Sequence, residues 1–100
     1  MANMKRYLTI RILYPKSGHG EDILAAVRQV SEAARRFKGL IEIGAWLDEK
    51  SDRIVSISLW NSREQAMEAT SKMHSRFTDI AWSEWERKPA ENLLELTRVA

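Results

Sequence analysis

The sequence holds no cysteine, two prolines and four glycines in 100 residues. Without cysteine, disulfides, thiolate nucleophiles and cysteine-ligated zinc or iron–sulfur centres are excluded, and the redox compartment stays undetermined. No low-complexity or linker segment interrupts the chain, so one domain spanning residues 1–100 is expected. No apolar run is long enough to cross a bilayer. The opening "MKRYLTIRILYP" begins like a signal peptide, yet Arg11 splits its apolar run and no small-residue cleavage site follows. A cytoplasmic protein with no membrane partner is therefore expected. Charge of one sign is also lacking. Sixteen basic and 14 acidic residues leave +2, spread along the chain, which excludes the concentrated basic footprint of a nucleic-acid binder.

What is present is a strong alternation of elements. In "YLTIRILY", residues 7–14, Leu8, Ile10, Ile12 and Tyr14 alternate with Tyr7, Thr9, Arg11 and Leu13, the period of a strand. From Glu21 to Lys38, Ile23, Val27, Val30, Ala34 and Phe37 recur at steps of four and three, the stripe of an amphipathic helix, and Gly39 is the expected left-handed stop. "LIEIGAWL" and "RIVSISLW" read as two strands of a hairpin around "DEKSD". Ser62 followed by Gln65 forms a capping box, so a second helix starts just after Trp60, with Ala66, Thr70, Met73 and Phe77 as its apolar stripe. "TDIAWSEWERKP" reads as a short helix, with an extended connection as the alternative, that Pro89 ends; in "ENLLELTRV", residues 91–99, Leu and Glu favour helix, but position in the order favours a closing strand, the reading adopted. The order is that of an α+β, ferredoxin-like βαββαβ fold with an antiparallel sheet.

Two helices cover one face of such a sheet. The more uniformly aliphatic face (Leu8, Ile10, Ile12, Ile41, Ile43, Val55, Ile57, Leu59) is expected beneath them. The other face mixes Tyr7, Leu13, Leu40, Trp46, Ile54 and Trp60 with Thr9, Arg11, Glu42, Ser56 and Ser58, too much aromatic area to leave in water. A two-fold homodimer that packs sheet on sheet into a barrel is the expected cover.

From "GLIEIGAWL" to "EATSKMH", residues 39–74, the chain resembles the antibiotic biosynthesis monooxygenase family of dimeric α+β barrel proteins. The features that carry the resemblance are Gly39 before the second strand, Trp60 ending the third, Ser62 with Glu64 opening the helix, and His74 about four turns on. The resemblance implies cofactor-free oxygenation of phenolic, quinol or polyketide-like substrates, so no cofactor is expected. It also implies a possible role for His74, which falls where other members carry the histidine of an "SPH" segment, here with Lys72 and Met73 in place of the serine and proline. The haem-degrading members carry a helix tryptophan and a later histidine; Ala69 and Asp79 occupy those positions here, which argues against haem ligation by that motif.

Each candidate residue has a chemical and a structural reading. His74, at the edge of its helix's apolar stripe, can act as a base of near-neutral pKa or be a boundary histidine bonded to backbone or water. Arg11 can stabilise an anion or pair with Glu42 or Glu95. Trp60 suits an interface anchor or a substrate wall; Trp82 and Trp85 can roof a flat ligand or fasten the connection to the core. Tyr14 can offer its hydroxyl to the same cleft or to water. The catalytic candidates are thus His74 and Arg11, and the substrate-binding candidates Tyr14, Trp60, Trp82 and Trp85. His19 and His74 lie far apart without a carboxylate array, so no metal site is expected. "GHGEDI" has Ile23 where a phosphate loop needs its third glycine, and no nucleophile elbow is present. The expected function is a cofactor-independent monooxygenase for a small aromatic ligand. The alternative is a non-enzymatic small-molecule-binding or assembly module of the same fold.

Overall fold

The computed structural model describes residues 5–94 and 96–100. Strand β1 (Tyr7–Pro15) leads to helix α1 (Gly20–Ala34), strands β2 (Leu40–Asp48) and β3 (Arg53–Trp60), helix α2 (Arg63–Arg76), a single turn α3 (Trp82–Trp85) and strand β4 (Glu86–Leu93). The sheet runs β2-β3-β1-β4 and every neighbouring pair is antiparallel. This is the ferredoxin-like βαββαβ arrangement expected from the order of elements.

The local signals act where they stand. The Ser62 hydroxyl accepts the Gln65 backbone N–H at 3.2 Å and starts α2. Gly39 lies at φ +99° in the left-handed region, and its carbonyl accepts the Asn61 N–H at 2.8 Å, tying the start of β2 to the end of β3. Helix α1 ends at Ala34 rather than Lys38, and its last backbone groups are taken up by a tighter turn through Phe37. The short late helix is limited to four residues, and β4 begins at Glu86 instead of residue 91. Pro89 therefore lies inside a strand that it was expected to precede. An edge strand tolerates this, because a residue whose N–H faces outward has no ladder bond to lose, and the register shifts between Ile12 and Tyr14 where β1 passes it. The expected strand to residue 99 stops at Leu93, and Glu95 lies outside the described residues.

In β1 and β3 the face assignment is reversed, whereas in β2 Ile43 lies beneath the helices and Trp46 on the open face as expected. The helices cover the mixed face: Tyr7 and Trp60 pack with Ala66 and Ala69 of α2, while Leu13 and Ile54 pack with Ile23 and Val27 of α1. The aliphatic face (Leu8, Ile10, Ile12, Val55, Ile57, Leu59) points away from both helices and is only partly buried. The reason is topological. A crossover between parallel strands of one sheet is right-handed, so strand order and direction dictate which side α1 and α2 occupy, whatever the apolar content of that side. Strand β2 is also offset by one residue from the expected pairing, because Asp48 pairs with Arg53 across a four-residue turn and odd positions thus oppose even ones. Ile43 opposes Ser58 beneath the helices, and Trp46 opposes Val55 on the open face, 56% exposed with its ring against Gly44.

Candidate functional site

The two packing clusters sit at opposite ends of the covered face, and the middle of that face is polar. Thr9 pairs with Ser58, and Arg11 with Ser56, across β1 and β3. Alternation along a strand sends all four side chains to one side. Helix α2 approaches the sheet through two small residues, Ala66 and Ala69, and its larger neighbours Met67, Thr70, Met73, His74 and Phe77 border a space instead of filling it. With Val27 and Val30 of α1 and Trp82 of α3, they enclose a cavity of about 410 Å³. That volume lies within the range of small-molecule sites, roughly 300–1,000 Å³.

The floor is ordered by hydrogen bonds. Trp60, 2% exposed, donates its Nε1–H to the Ser58 hydroxyl at 3.0 Å, and Ser58 and Thr9 share a further bond between their hydroxyls. The indole is held in one orientation by these contacts and by Tyr7, so it acts as a rigid wall. Arg11 lies half-buried beside this row with its guanidinium over the Trp82 ring, 4.9 Å from the centroid. Burial lowers its pKa, opposed in part by the negative field of Glu86. Its Nε is buried without a hydrogen-bond partner among the described residues, as is Glu86 Oε1. At the rim, His74 is exposed near the C-terminal end of α2. Its side chain has no hydrogen-bond partner among the described residues.

Four of the six sequence-derived candidates, His74, Arg11, Trp60 and Trp82, therefore border one cavity. Trp85 lies outside the lining and packs with Leu13, Ile23, Val27 and Ile54, edge-on to Trp82 at 6.4 Å and 72°. Tyr14 lies on the far side of the sheet, where its hydroxyl donates to the Glu91 carboxylate and its ring lies beneath Lys88 and Arg87. This face reversal separates Tyr14 from the cleft. The offset of β2 separates Glu42 from Arg11, since Glu42 opposes Leu59 on the open face; pairing of Arg11 with Glu95 lies outside the described residues. Thr9, Ser56, Ser58 and Asn92 line the cavity without having been singled out. For Thr9, Ser56 and Ser58 the signal was hydroxyls at alternate positions in otherwise apolar strands, which equally suit side chains facing water; Asn92, in a polar stretch, carried no such signal. Among the described residues no group of three or more metal-ligating side chains occurs, and no helix is long and apolar enough to cross a membrane.

Known proteins share this architecture. No curated protein sequence matches the chain. A protein from Mycobacterium tuberculosis superposes with a TM-score of 0.84 at 14% identity, covering 96% of this chain and 97% of that one. A conserved protein from Methanosarcina mazei Go1 gives 0.81 at 15% identity over 95% of both chains. SnoaB, a cofactor-independent oxygenase from Streptomyces nogalater whose structure is that of a mutant, gives 0.77 at 13% identity over 95% of both chains. At these identities the likeness is one of fold. The family model for antibiotic biosynthesis monooxygenase matches residues 7–77, from the first residue of β1 to the residue that closes α2, and the chain belongs to that family.

Proposed function

We propose that this protein is a cofactor-independent monooxygenase that oxidises a small aromatic, quinol or polyketide-like substrate in the cavity between helices and sheet, and that it works as a homodimer through the open aliphatic face. The observation that carries the reading is a cavity of about 410 Å³ in a domain of this family, with apolar walls, a hydroxyl-lined floor, an arginine and a rim histidine. In such chemistry His74 takes a phenolic proton, which raises the electron density of the ring system. The anion passes one electron to dioxygen, and the two radicals combine to form a peroxide. In an anthrone-type substrate, whose enol form supplies the phenolic proton, oxygen bonds to the ring carbon that keeps one hydrogen; His74 returns its proton to the peroxide, and loss of water leaves a carbonyl there, one oxygen atom staying on the product and the other departing with the returned proton and that carbon's hydrogen. Arg11 supports the anion electrostatically, and Trp60 and Trp82 hold the ring.

The open face supports the dimer. Six aliphatic side chains of β1 and β3 and the exposed Trp46 form an apolar surface that a second copy covers by symmetry.

A second reading, a binding module without turnover, draws support from His74 itself. An effective base is normally oriented by a partner, and among the described residues this histidine has none. Oxygen uptake with a panel of quinols and anthrones separates the two. Turnover that falls about 100-fold or more in His74→Ala, and is unchanged in the surface control Lys50→Ala, supports the enzyme. Binding of these compounds with no oxygen uptake supports the module.

A further inference from the structure

We infer that the cavity selects an aromatic ligand bearing a fixed negative charge, a carboxylate, with Arg11 as its counter-charge. This deepens the proposed function and rests on the cavity being a ligand site.

The first argument is charge. The lining holds one arginine, one histidine and, among the described residues, no aspartate or glutamate. A guanidinium stays protonated under all ordinary conditions, so its withdrawal from water is a cost that a protein normally offsets with a hydrogen-bonded carboxylate. Among the described residues Arg11 has no such partner. Its neighbours are the Trp82 ring and, at longer range, Glu86, whose own Oε1 is likewise unpaired. The structure keeps two opposite charges near each other without joining them.

The second argument is shape. The Arg11 guanidinium carbon lies over the Trp82 ring, which anchors the group at the cavity wall, and a guanidinium binds carboxylates through its edge, where two parallel N–H donors match two oxygens. The Nε is covered by protein, so the donors that Arg11 offers to the cavity it lines are those of its terminal nitrogens. Ser56 lies directly across the strands from Arg11 and also lines the cavity, adding a hydroxyl to the same part of the floor. By contrast, Thr9, Ser58 and Trp60 satisfy one another and leave the row beyond Arg11 electrically neutral. Met67, Met73 and Phe77 offer apolar contact to a ring system. A charged end at Arg11 and a flat hydrophobic body between α2 and the sheet thus describe the ligand.

The test uses naphthoate and its neutral isostere naphthamide as probes, followed by calorimetry and by quenching of tryptophan fluorescence with the intact protein. Naphthoate is expected to bind at least about tenfold more tightly than naphthamide, the effect of a hydrogen bond to a charged group. Arg11→Gln removes that preference and leaves naphthamide binding unchanged. Glu86→Gln, which removes the opposing negative field, strengthens naphthoate binding several-fold and leaves naphthamide as it was; this variant serves as the independent arm if Arg11→Gln does not fold. Equal binding of the two probes to the wild-type protein overturns charge selection but leaves the cavity as a binding site. A preference that survives in Arg11→Gln overturns the role of Arg11. Binding of neither probe overturns the inference together with the site on which it rests.

Discussion

Replacement of Gly39 by alanine tests how β2 and α2 are joined, and with it the placement of the helix that walls the cavity. Gly39 combines two demands. Its φ of +99° is one that side chains rarely adopt, and a Cβ built there lies 2.3 Å from Gln65 Oε1, 2.5 Å from Cδ and 2.8 Å from Cβ. The backbone strain alone costs about 1–2 kcal/mol. The overlap adds to it. The end of the Gln65 side chain can swing away, but only by leaving the Ser62 hydroxyl that it meets at 3.3 Å, a loss of about 1 kcal/mol, and its Cβ cannot follow without moving the first turn of α2. Gly39→Ala is therefore expected to lower unfolding free energy by about 2–4 kcal/mol. Gly18 supplies the comparison. It has φ +81° and no atom within 4 Å of the point where a methyl would stand, so Gly18→Ala carries only the backbone cost, about 1–2 kcal/mol. Urea titrations of both variants, and of Gly39→Ala in a Gln65→Ala background, separate the contributions. The double variant recovers about 1 kcal/mol and no more, since the Gln65 Cβ contact remains. If Gly39→Ala proves no more destabilising than Gly18→Ala, or shows no coupling to Gln65, the close approach does not hold the helix start in place.

Two further outcomes concern the open face. The hydrogen bond to Glu91, aided by burial, raises the Tyr14 pKa above the ordinary tyrosine value near 10, with Arg53 opposing. A raised folded value means that this stabilisation is complete below about pH 10 and is lost as pH rises through the folded pKa, so stability falls along an alkaline limb that Tyr14→Phe should flatten. Denaturation midpoints between about pH 7 and 11 measure it, and identical limbs in the two proteins would refute the assignment. Ile57 lies near the centre of the aliphatic face, so Ile57→Asp removes two buried side chains per two-fold dimer, about 3–6 kcal/mol, and should weaken association by roughly 100-fold or more. Sedimentation across a concentration series reads this, and a wild-type protein that is already monomeric at high concentration removes the dimer.

The parts of the molecule legible in advance are those that short-range chemistry decides. Ser62 finds Gln65 three residues on, Gly39 takes the backbone angle that a side chain would obstruct, and the spacing of Ile23, Val27 and Val30 makes a helix with one apolar side. The set Tyr7, Thr9, Arg11, Leu13, Ile54, Ser56, Ser58 and Trp60 was also recognisable as one face, because alternation along paired strands needs no knowledge of the rest of the fold. Which side of the sheet that face looks toward was not written in any of those residues. The handedness of the crossovers decides it, and handedness belongs to the whole chain path. A one-residue shift in a turn kept Ile43 beneath the helices, where it was expected, although the faces of β1 and β3 changed sides, and an edge position let Pro89 sit inside a strand. The sequence by itself therefore determined the elements, their order and the family; only the tertiary structure brought Arg11, Trp60, Trp82 and His74 around one cavity and sent Tyr14 to the opposite side, because a sheet apolar on both faces is energetically indifferent to which one its helices cover until topology removes the choice.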